Sequence, residues 1–370
     1  MANDNLGAAK KAKADEFYTQ YIDIEAEMNA YLDYDPDVFK GKTLLLPCDD
    51  PEWSNFTKYF AQNFERLGLT KLISTSYAPD SKLIEQAWTD FEFESPKFDV
   101  SKAKANGKIF TLSRDSNGDQ KVNFEDLEWD YLDGDGDFRS DEIKKLRDQA
   151  DIIITNPPFS LFREFLAWIV EVEKKFSIIG NMNAITYKEV FPLLKDNYLW
   201  IGATINSGDR EFEVPKDLQT VSPSLRIDEH GRKYLRVDGV RWFTNLDHGK
   251  RHDPIPLMTM EHNLKFSKHK DIKGKDSYHQ YDNYDAIEVS FTDAIPSDYD
   301  GVMGVPISFL NKYNPDQFEI LGCTESEGRG FSNGLWDSSS NISQPVVAGV
   351  RLYKRIFIRH KIVSRENYTK

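Results

Sequence analysis

Cysteine is scarce in this sequence: Cys48 and Cys323 are the only two among 370 residues. Two distant thiols make no disulfide framework, so a reducing compartment is expected. No apolar run approaches the ~18 residues that a membrane-spanning helix needs. The opening stretch MANDNLGAAKKAKADEF has no signal-peptide core, so a cytoplasmic location without membrane contact is expected. G-x-G-x-x-G and the Gly-x-x-x-x-Gly-Lys phosphate loop are also missing, which disfavours dinucleotide and triphosphate binding. Basic residues are outnumbered, 47 Lys and Arg against 61 Asp and Glu, and the formal net charge of −14 taken alone argues against a polyanion partner.

The distribution of charge matters more than its sum. Residues 90–151 carry 10 basic and 17 acidic side chains, a net of −7, whereas 346–370 carry 7 and 1, a net of +6. A nucleic acid would meet the basic end and avoid the acidic one. Such asymmetry is also common in soluble proteins, so charge alone leaves the partner open.

Hydrophobic patterning gives the architecture. Residues 15–32 place Phe17, Tyr21, Ile24, Met28 and Leu32 at spacings of three and four, an amphipathic helix. GKTLLLPCDD is a short strand ending at Pro47. SNFTKYFAQNFERLG is a helix with Ser54 or Asn55 as cap, a stripe of Phe56, Tyr59, Phe60 and Phe64, and Gly68 as its close. KLISTSY is the next strand, so 41–77 reads as a βαβ unit. GKIFTLSR reads as a strand inside an acidic insertion at about 90–135. ADIIIT is a strand without alternation, as in a parallel sheet covered on both faces. SLFREFLAWIVEVEKK follows as a helix, with Ser160 as cap and Lys174 and Lys175 near its C-terminal end. FSIIG, YKEVFPLLKDN and LWIGATI continue as strand, helix and strand. The expected fold is a doubly wound α/β sheet, with VRWFTNL as an antiparallel edge. The pattern changes after about 205, and a C-terminal α+β module is expected over 251–370, behind a first domain over 1–250. KFSKHKDIKGK (265–275) reads as a mobile loop.

In open α/β sheets ligands bind beyond the carboxyl ends of the strands. Two distant segments end strands here: PCDDPEWSN and NPPF. Asp49 and Asp50 suit a ligand with hydroxyls or positive charge, or equally a capping cluster for the following helix. NPPF is more telling. An exocyclic amine on an aromatic ring is a poor nucleophile because the ring shares its lone pair. Two acceptors aimed at its two N–H bonds draw that pair out. The Asn156 side-chain oxygen and the Pro157 carbonyl are such a pair. Pro158 fixes the turn and brings no N–H to compete, and Phe159 can stack on a base. No strong base is needed, since the methylated amine is acidic enough to lose its proton afterwards. The plain alternative is a helix-entry turn with Phe159 in the core.

NPPF after such a strand resembles motif IV of the adenine-N6 DNA methyltransferases. The context resembles one family, the EcoRI-type adenine-specific DNA methyltransferases. The resemblance rests on CDDPEWSNFTKYFAQNFERLGLTKLISTSY, GDGDFRSDE, ADIIITNPPFSLFREF, KKFSIIGNMNAITYKEVFP, VRWFTNLDHGKRH, YDNYDAIEV and IPSDYDGVMGVPISFLNKYNPDQFEILG, which span roughly 42–322 in one order. It implies a class I methyltransferase fold (Rossmann-like) with a C-terminal target-recognition domain. It also implies S-adenosyl-L-methionine as methyl donor and an adenine flipped out of a short site in double-stranded DNA. The order of cofactor, catalytic and C-terminal segments is that of the gamma arrangement. By position, Pro47, Cys48, Asp49, Asp50 and Pro51 stand where the family places the loop under methionine and ribose. Ser76 and Tyr77 end the second strand, where an acid usually holds the ribose hydroxyls. No acid stands there, which passes that role to Asp49 or Asp50. Asp137 and Phe138 resemble the pair that meets the cofactor's adenine. Asn156 to Phe159 is the catalytic tetrad, and Asn181 and Asn183 are placed to line the pocket. The helix 15–32, with Phe17 and Tyr21, takes the place of a cofactor lid.

The C-terminal module is expected to contact DNA. RLYKRIFIRHK alternates, with Arg351, Tyr353, Arg355, Phe357, Arg359 and Lys361 on one face. That face suits phosphates, or is simply solvated. Arg241, Lys250, Arg251 and Lys268 are further DNA-binding candidates. DSNGDQKVNFED (115–126) resembles an EF-hand loop, with Gln120 at the usual glycine position and Asp126 in place of a longer Glu, so a calcium loop and an acidic surface insertion stay open. Three functions follow. The first is a site-specific adenine methyltransferase, an orphan or one paired with a cognate restriction endonuclease acting on the same site. The others are an N-methyltransferase of RNA or protein glutamine, and a calcium-responsive nucleic-acid-binding protein without catalysis.

Overall fold

A computed structural model describes residues 19–49, 54–77, 99, 102, 105–205, 210–214, 223–324 and 344–361. The chain divides into two compact units, Met1–Met182 with Gly202–Asp247, and Asn183–Ile201 with His248–Lys370. Residues 183–201, expected within the first domain, therefore group with the second unit. Among the described residues no helix is long and apolar enough to cross a membrane.

The first unit is built on a mixed sheet. Its strands are β1 (Thr43–Leu46), β2 (Lys71–Ser76), β3 (Lys108–Leu112), β4 (Glu128–Tyr131), β5 (Ile152–Thr155), β6 (Lys175–Asn181) and Val240–Thr244. They lie in the order β4-β3-β2-β1-β5-β6 and then Val240–Thr244. The β1–β2, β1–β5 and β5–β6 pairs are parallel; β2–β3, β3–β4 and the pairing of β6 with Val240–Thr244 are antiparallel. The parallel centre and the antiparallel VRWFTNL strand match expectation. The acidic insertion does not hang off the sheet: it extends it, and β4 carried no alternation strong enough to be read in advance. β1 is the switch point. The chain leaves it toward β2, β3 and β4, then returns to its other side as β5.

Helices cover the sheet for reasons visible in their side chains. On β1, Leu44 and Leu46 join one large core cluster while Leu45, one residue out of phase, does not. That cluster takes Ile24, Met28 and Tyr31 from α1 (Tyr21–Tyr34), Phe56, Tyr59 and Phe60 from α2 (Asn55–Gln62), and Phe64 and Leu67 from α3 (Phe64–Leu67). The Ser54 hydroxyl caps α2 by accepting Phe56 N–H, and Gly68, at φ 65°, closes α3 in the left-handed conformation. One long helix was expected here. Asn63 divides it, its side-chain amide donating to the Tyr59 carbonyl at 2.8 Å. α4 (Asp141–Gln149) and α5 (Phe162–Val170) complete the set. Leu161, not Ser160, stands at the N-cap position of α5, without a side-chain cap. Lys174 and Lys175 lie past its end, donating to the carbonyls of Asp148 and Asn245.

α1 is anchored by a buried carboxylate; residues 15–18 of the expected lid helix lie outside the described residues. Glu27 is fully buried. Its carboxylate accepts Tyr31 Oη–H (2.7 Å), Ala203 N–H (2.8 Å), Thr204 N–H (2.8 Å) and the Thr204 hydroxyl (2.5 Å). Tyr31 also shares a hydrogen bond with Ser177 on β6. Burial pushes the Glu27 carboxyl above the usual range, against the pull of its donors. Gly202 is required for this approach, because a Cβ there would collide with Glu27 and Trp242.

In the second unit, Ile287–Glu288, Met303–Pro306, Arg355–His360 and Phe318–Cys323 form a sheet in that order, parallel in the first pair and antiparallel in the others. The expected helix over YKEVFPLLKDN shrinks to Phe191–Lys195, and LWIGATI to a strand of two residues, Trp200–Ile201. The lysine-rich stretch 265–275 is not the open loop expected: Ile272 is buried and Gly274 N–H donates to the Leu264 carbonyl at 2.7 Å.

Glu27→Gln sets an amide NH₂ against a backbone N–H of Ala203 or Thr204. It is expected to lower the unfolding free energy by about 1–3 kcal/mol in urea denaturation; an unchanged midpoint would show that residues 202–204 are held by other contacts.

Candidate active site

Three strand ends meet at the switch point. Thr155, the last residue of β5, donates its hydroxyl to the Pro47 carbonyl beyond β1 at 2.7 Å. Asp49 N–H donates to Thr75 O on β2, also at 2.7 Å. The segment 133–138 closes on the same edge. Gly136, at φ 84°, lies so close to the Ser76 carbonyl that a Cβ would collide with it. Tyr77 Oη–H donates to Asp135 at 3.1 Å. The ends of β1, β2 and β5 and a loop from the acidic insertion thus form one rim. Burial and the neighbouring Asp135 push the Tyr77 hydroxyl up.

Cys48 sits on that rim at φ 61°. Glycine supplies this left-handed backbone in most nucleotide-binding turns. Here a cysteine holds it, and its Cβ is strained against the following carbonyl. The sequence lacks the glycine signature, yet the backbone beyond β1 passes through one left-handed residue at Cys48.

Asn156 leaves β5 half-buried, Pro157 is buried, and Pro158 and Phe159 are half-buried. Phe159 packs partly against the core cluster. A single 3-10 turn, Phe159–Leu161, then leads into α5. That turn uses the Pro158 carbonyl, which accepts Leu161 N–H, and the Phe159 carbonyl, which accepts Phe162 N–H. The carbonyl of Pro157 is not part of it. Asn156 and Pro157 therefore follow directly on a braced strand end, with the Asn156 side-chain oxygen buried there.

Several expected residues are placed otherwise. Asp49 is a capping group: it is buried, and its carboxylate accepts the Ser54 hydroxyl, Thr57 N–H (3.2 Å) and the Thr57 hydroxyl (2.6 Å). With three donors at the start of α2 it has little left for a ribose. Asp50, Pro51 and Phe17 lie outside the described residues. Tyr21 packs edge-on against Tyr59 and donates to Gln62, so it joins α1 to α2. Phe138 is a core residue, edge-to-face with Phe165 and Trp168 at 5.1 and 5.7 Å. Asp137 receives a two-pronged bond from Arg139, which holds its carboxyl below the usual range. Asn181 donates to the Asp238 carbonyl, and Asn183 belongs to the second unit, where its side-chain oxygen accepts Tyr353 Oη–H. Asp135 was missed. Its acid reaches the end of β2 from 58 residues away, a pairing no local pattern announces.

The DNA-binding candidates divide likewise. Arg355 is buried in an ion pair with Glu288 at 2.8 Å, and Phe357 is buried against Tyr281 and Tyr284. The expected basic-aromatic face is interrupted at its middle, because residues 354–358 are buried, while Arg351, Tyr353, Arg359 and Lys361 stay exposed. Arg359 pairs with Glu319 at 2.6 Å. Arg241 is buried, donating to the Val240 carbonyl, and burial pulls its guanidinium down. Arg251 is buried 3.6 Å over the Trp200 ring. Lys250, Arg351 and Lys361 are exposed, and Lys268 is exposed with an ion pair to Asp293.

In the EF-hand-like loop, carboxylate oxygens of Asp115, Asp119 and Asp126 lie within 4.8 Å of one another. Gln120 adopts the left-handed backbone (φ 67°) of the missing glycine. The Asp126 oxygens accept N–H bonds from Ser116, Asn117 and Asn123, which account for the loop's closure without an ion.

Left-handed strain at Cys48 gives an ordered expectation. Cys48→Gly should be close to neutral and Cys48→Val should lose about 1–2 kcal/mol, because branching at Cβ worsens the clash. Urea midpoints check the order; a valine variant as stable as the glycine one would deny the strain.

The sequence model of a family described as "Adenine-specific methyltransferase EcoRI" matches residues 5–361. The chain is 44% identical over 363 residues to the Type II methyltransferase M.EcoRI of Escherichia coli, covering 98% of each. It is 36% identical over 360 residues to M.MgeORF184P of Mycoplasma genitalium, covering 96% of this chain and 98% of that one. It is 35% identical over 317 residues to M.MpnI of Mycoplasma pneumoniae, covering 85% and 84%. No solved structure matches it. A match over nearly the whole length, with NPPF at the switch point, means that the chain belongs to the EcoRI family of adenine-specific methyltransferases.

Proposed function

We propose that this adenine-specific methyltransferase transfers a methyl group from S-adenosyl-L-methionine to N6 of an adenine flipped out of duplex DNA at a short specific sequence. The observation that carries the reading is the emergence of Asn156-Pro157-Pro158-Phe159 from β5, braced to the end of β1 through Thr155 and Pro47. The Asn156 oxygen and the Pro157 carbonyl accept the two N–H bonds of the adenine amine and turn its lone pair out of conjugation. Pro158 keeps a competing N–H away, and the half-exposed ring of Phe159 stacks on the base. The proton leaves the methylated amine afterwards, so an amide suffices where a carboxylate might be sought. Flipping the base costs a few kcal/mol, which stacking and the two acceptors offset.

The rim fits the cofactor. Asp135 at the end of β2 supplies the acid that the sequence lacked there, as a partner for ribose hydroxyls. Asp133 and Asp135 stand exposed on this edge and favour a cationic ligand. The turn at Cys48 lets backbone approach closely. S-adenosyl-L-methionine supplies a methyl group made electrophilic by its sulfonium. We read the sheet as a class I methyltransferase fold and the second unit as the target-recognition module, with Lys250, Lys268, Arg351 and Lys361 as its exposed cations. A restriction endonuclease acting on the same sequence is the proposed partner, and the cytoplasm the proposed location.

Tritiated cofactor offered with plasmid DNA, RNA and protein separates the alternatives; label absent from adenine in every DNA sink the reading. Asn156→Ala is expected to lower transfer on the order of 10²–10³-fold, as for loss of one oriented polar group in a dry site. Calorimetry should find cofactor affinity nearly unchanged; an active Asn156→Ala enzyme would remove the role assigned to the amide.

A further inference from the structure

The second unit carries a β-hairpin that contributes little to its core from one side. Val346 pairs with Arg351 and Val347 with Val350 in antiparallel register. Ala348 (φ 49°) and Gly349 (φ 77°) are both left-handed, as at the two centres of a type I′ turn. Alanine resists this conformation, and Asp282 holds it. Ala348 N–H donates to one carboxylate oxygen at 3.2 Å and Gly349 N–H to the other at 2.7 Å. Asn283 adds two bonds, its amide donating to the Gln344 carbonyl and its oxygen accepting Val346 N–H. Val347 and Leu352 pack on the cluster of Tyr281, Tyr284 and Phe357. The hairpin is thus fixed at its tip, its base and one face.

Exposed side chains near the tip lie on both faces: Val350 sits across from Val347 on the packed side, and Arg351 and Tyr353 alternate to the opposite side. Val350 is 62% exposed and Tyr353 57%, with Arg351 exposed between them. Residues 346–361 hold five Lys and Arg and no carboxylate. Lys354 donates to Thr186, Arg355 pairs with Glu288, and Arg359 with Glu319. Among the described residues the Arg351 side chain has no such partner.

We infer that this hairpin is a base-reading element that enters the major groove of duplex DNA, Arg351 addressing a guanine edge and Val350 a thymine methyl. The inference rests on the proposed DNA substrate and goes beyond it. A two-stranded ribbon fits the major groove, the guanidinium fork matches guanine O6 and N7, and a small apolar group matches the thymine methyl. Phosphate binding alone would need the cation but not the bare valine beside it. The bonds from Asp282 and Asn283 hold the backbone of the turn that carries both residues, and reading a base edge requires a fixed backbone where a phosphate contact does not.

The test uses the full chain and duplexes carrying the wild-type methylation sequence, mapped beforehand, with each base pair replaced in turn. Arg351→Ala should lower kcat/KM on that sequence roughly 5- to 150-fold, the usual worth of a two-pronged base contact. It should lose little more on the duplex already altered at one G·C pair. Arg351→Lys, which keeps charge but not the fork, should lose the same discrimination. Val350→Ala should relax preference at an A·T pair. Urea midpoints equal to wild type confirm that the exposed substitutions leave the fold intact. Equal loss on every duplex with a salt slope reduced by about 1 would make Arg351 a phosphate contact and overturn the inference. Unchanged rates and preferences would overturn it too. A wild-type chain that methylates no adenine in any duplex would instead overturn the DNA reading itself, and this inference with it.

Discussion

One hydrogen bond joins the parts of the active rim: the hydroxyl of Thr155 donated to the carbonyl of Pro47. β1 is where the sheet changes direction, so its neighbours on the two sides come from segments far apart in the chain. Strand ends that diverge there leave a crevice, and its walls need tying if the groups on them are to keep register. Thr155 ties them one residue before Asn156. The Asn156 amide therefore inherits its position from β1, and the turn at Cys48 inherits its position from β5.

The rim is also an electrostatic arrangement. β2 ends in Ser76 and Tyr77, neither of them acidic, and the acid is brought in by the segment 133–138. Gly136 allows that segment to lie against the backbone of β2, and Phe138 anchors it among the rings of α5. Meanwhile Asp49, the acid nearest β1 in sequence, is drawn inward by the unpaired N–H groups at the start of α2. Asp49 thus caps a helix while Asp135 reaches the end of β2, because helix starts compete for acids as strongly as ligands do.

The same competition decides which cations face outward. Arg355 and Arg359 alternate on a strand as a DNA-facing pair would, yet one is buried on Glu288 and the other held by Glu319. A period of two specifies sides, and it says nothing about what covers each side. Phe357, between them, is fully buried in the aromatic cluster of the second unit. In the hairpin just before that strand, hydrogen bonds hold the turn and leave Val350 and Arg351 exposed, while Val347 and Leu352 pack inward.

Much of this was legible beforehand. An isoleucine run without alternation specified a strand buried on both faces. The Phe56, Tyr59, Phe60 and Phe64 stripe specified helical structure, and Gly68 its end, though not the break at Asn63. NPPF specified an abrupt strand end followed by a short turn into a helix. These are local properties: side-chain volume, backbone freedom and the number of donors in four residues. What tertiary structure alone decided is which groups were already spent. Whether Asp49 caps or binds, whether Tyr21 covers a ligand or a neighbouring helix, whether Arg355 faces solvent or Glu288, depends on partners distant in sequence. Glu288 and Arg355 are 67 residues apart, and Tyr77 and Asp135 are 58 apart. A residue type states what a side chain can bond to; burial leaves only the neighbours that folding brings within reach, and that choice is made by the whole chain at once.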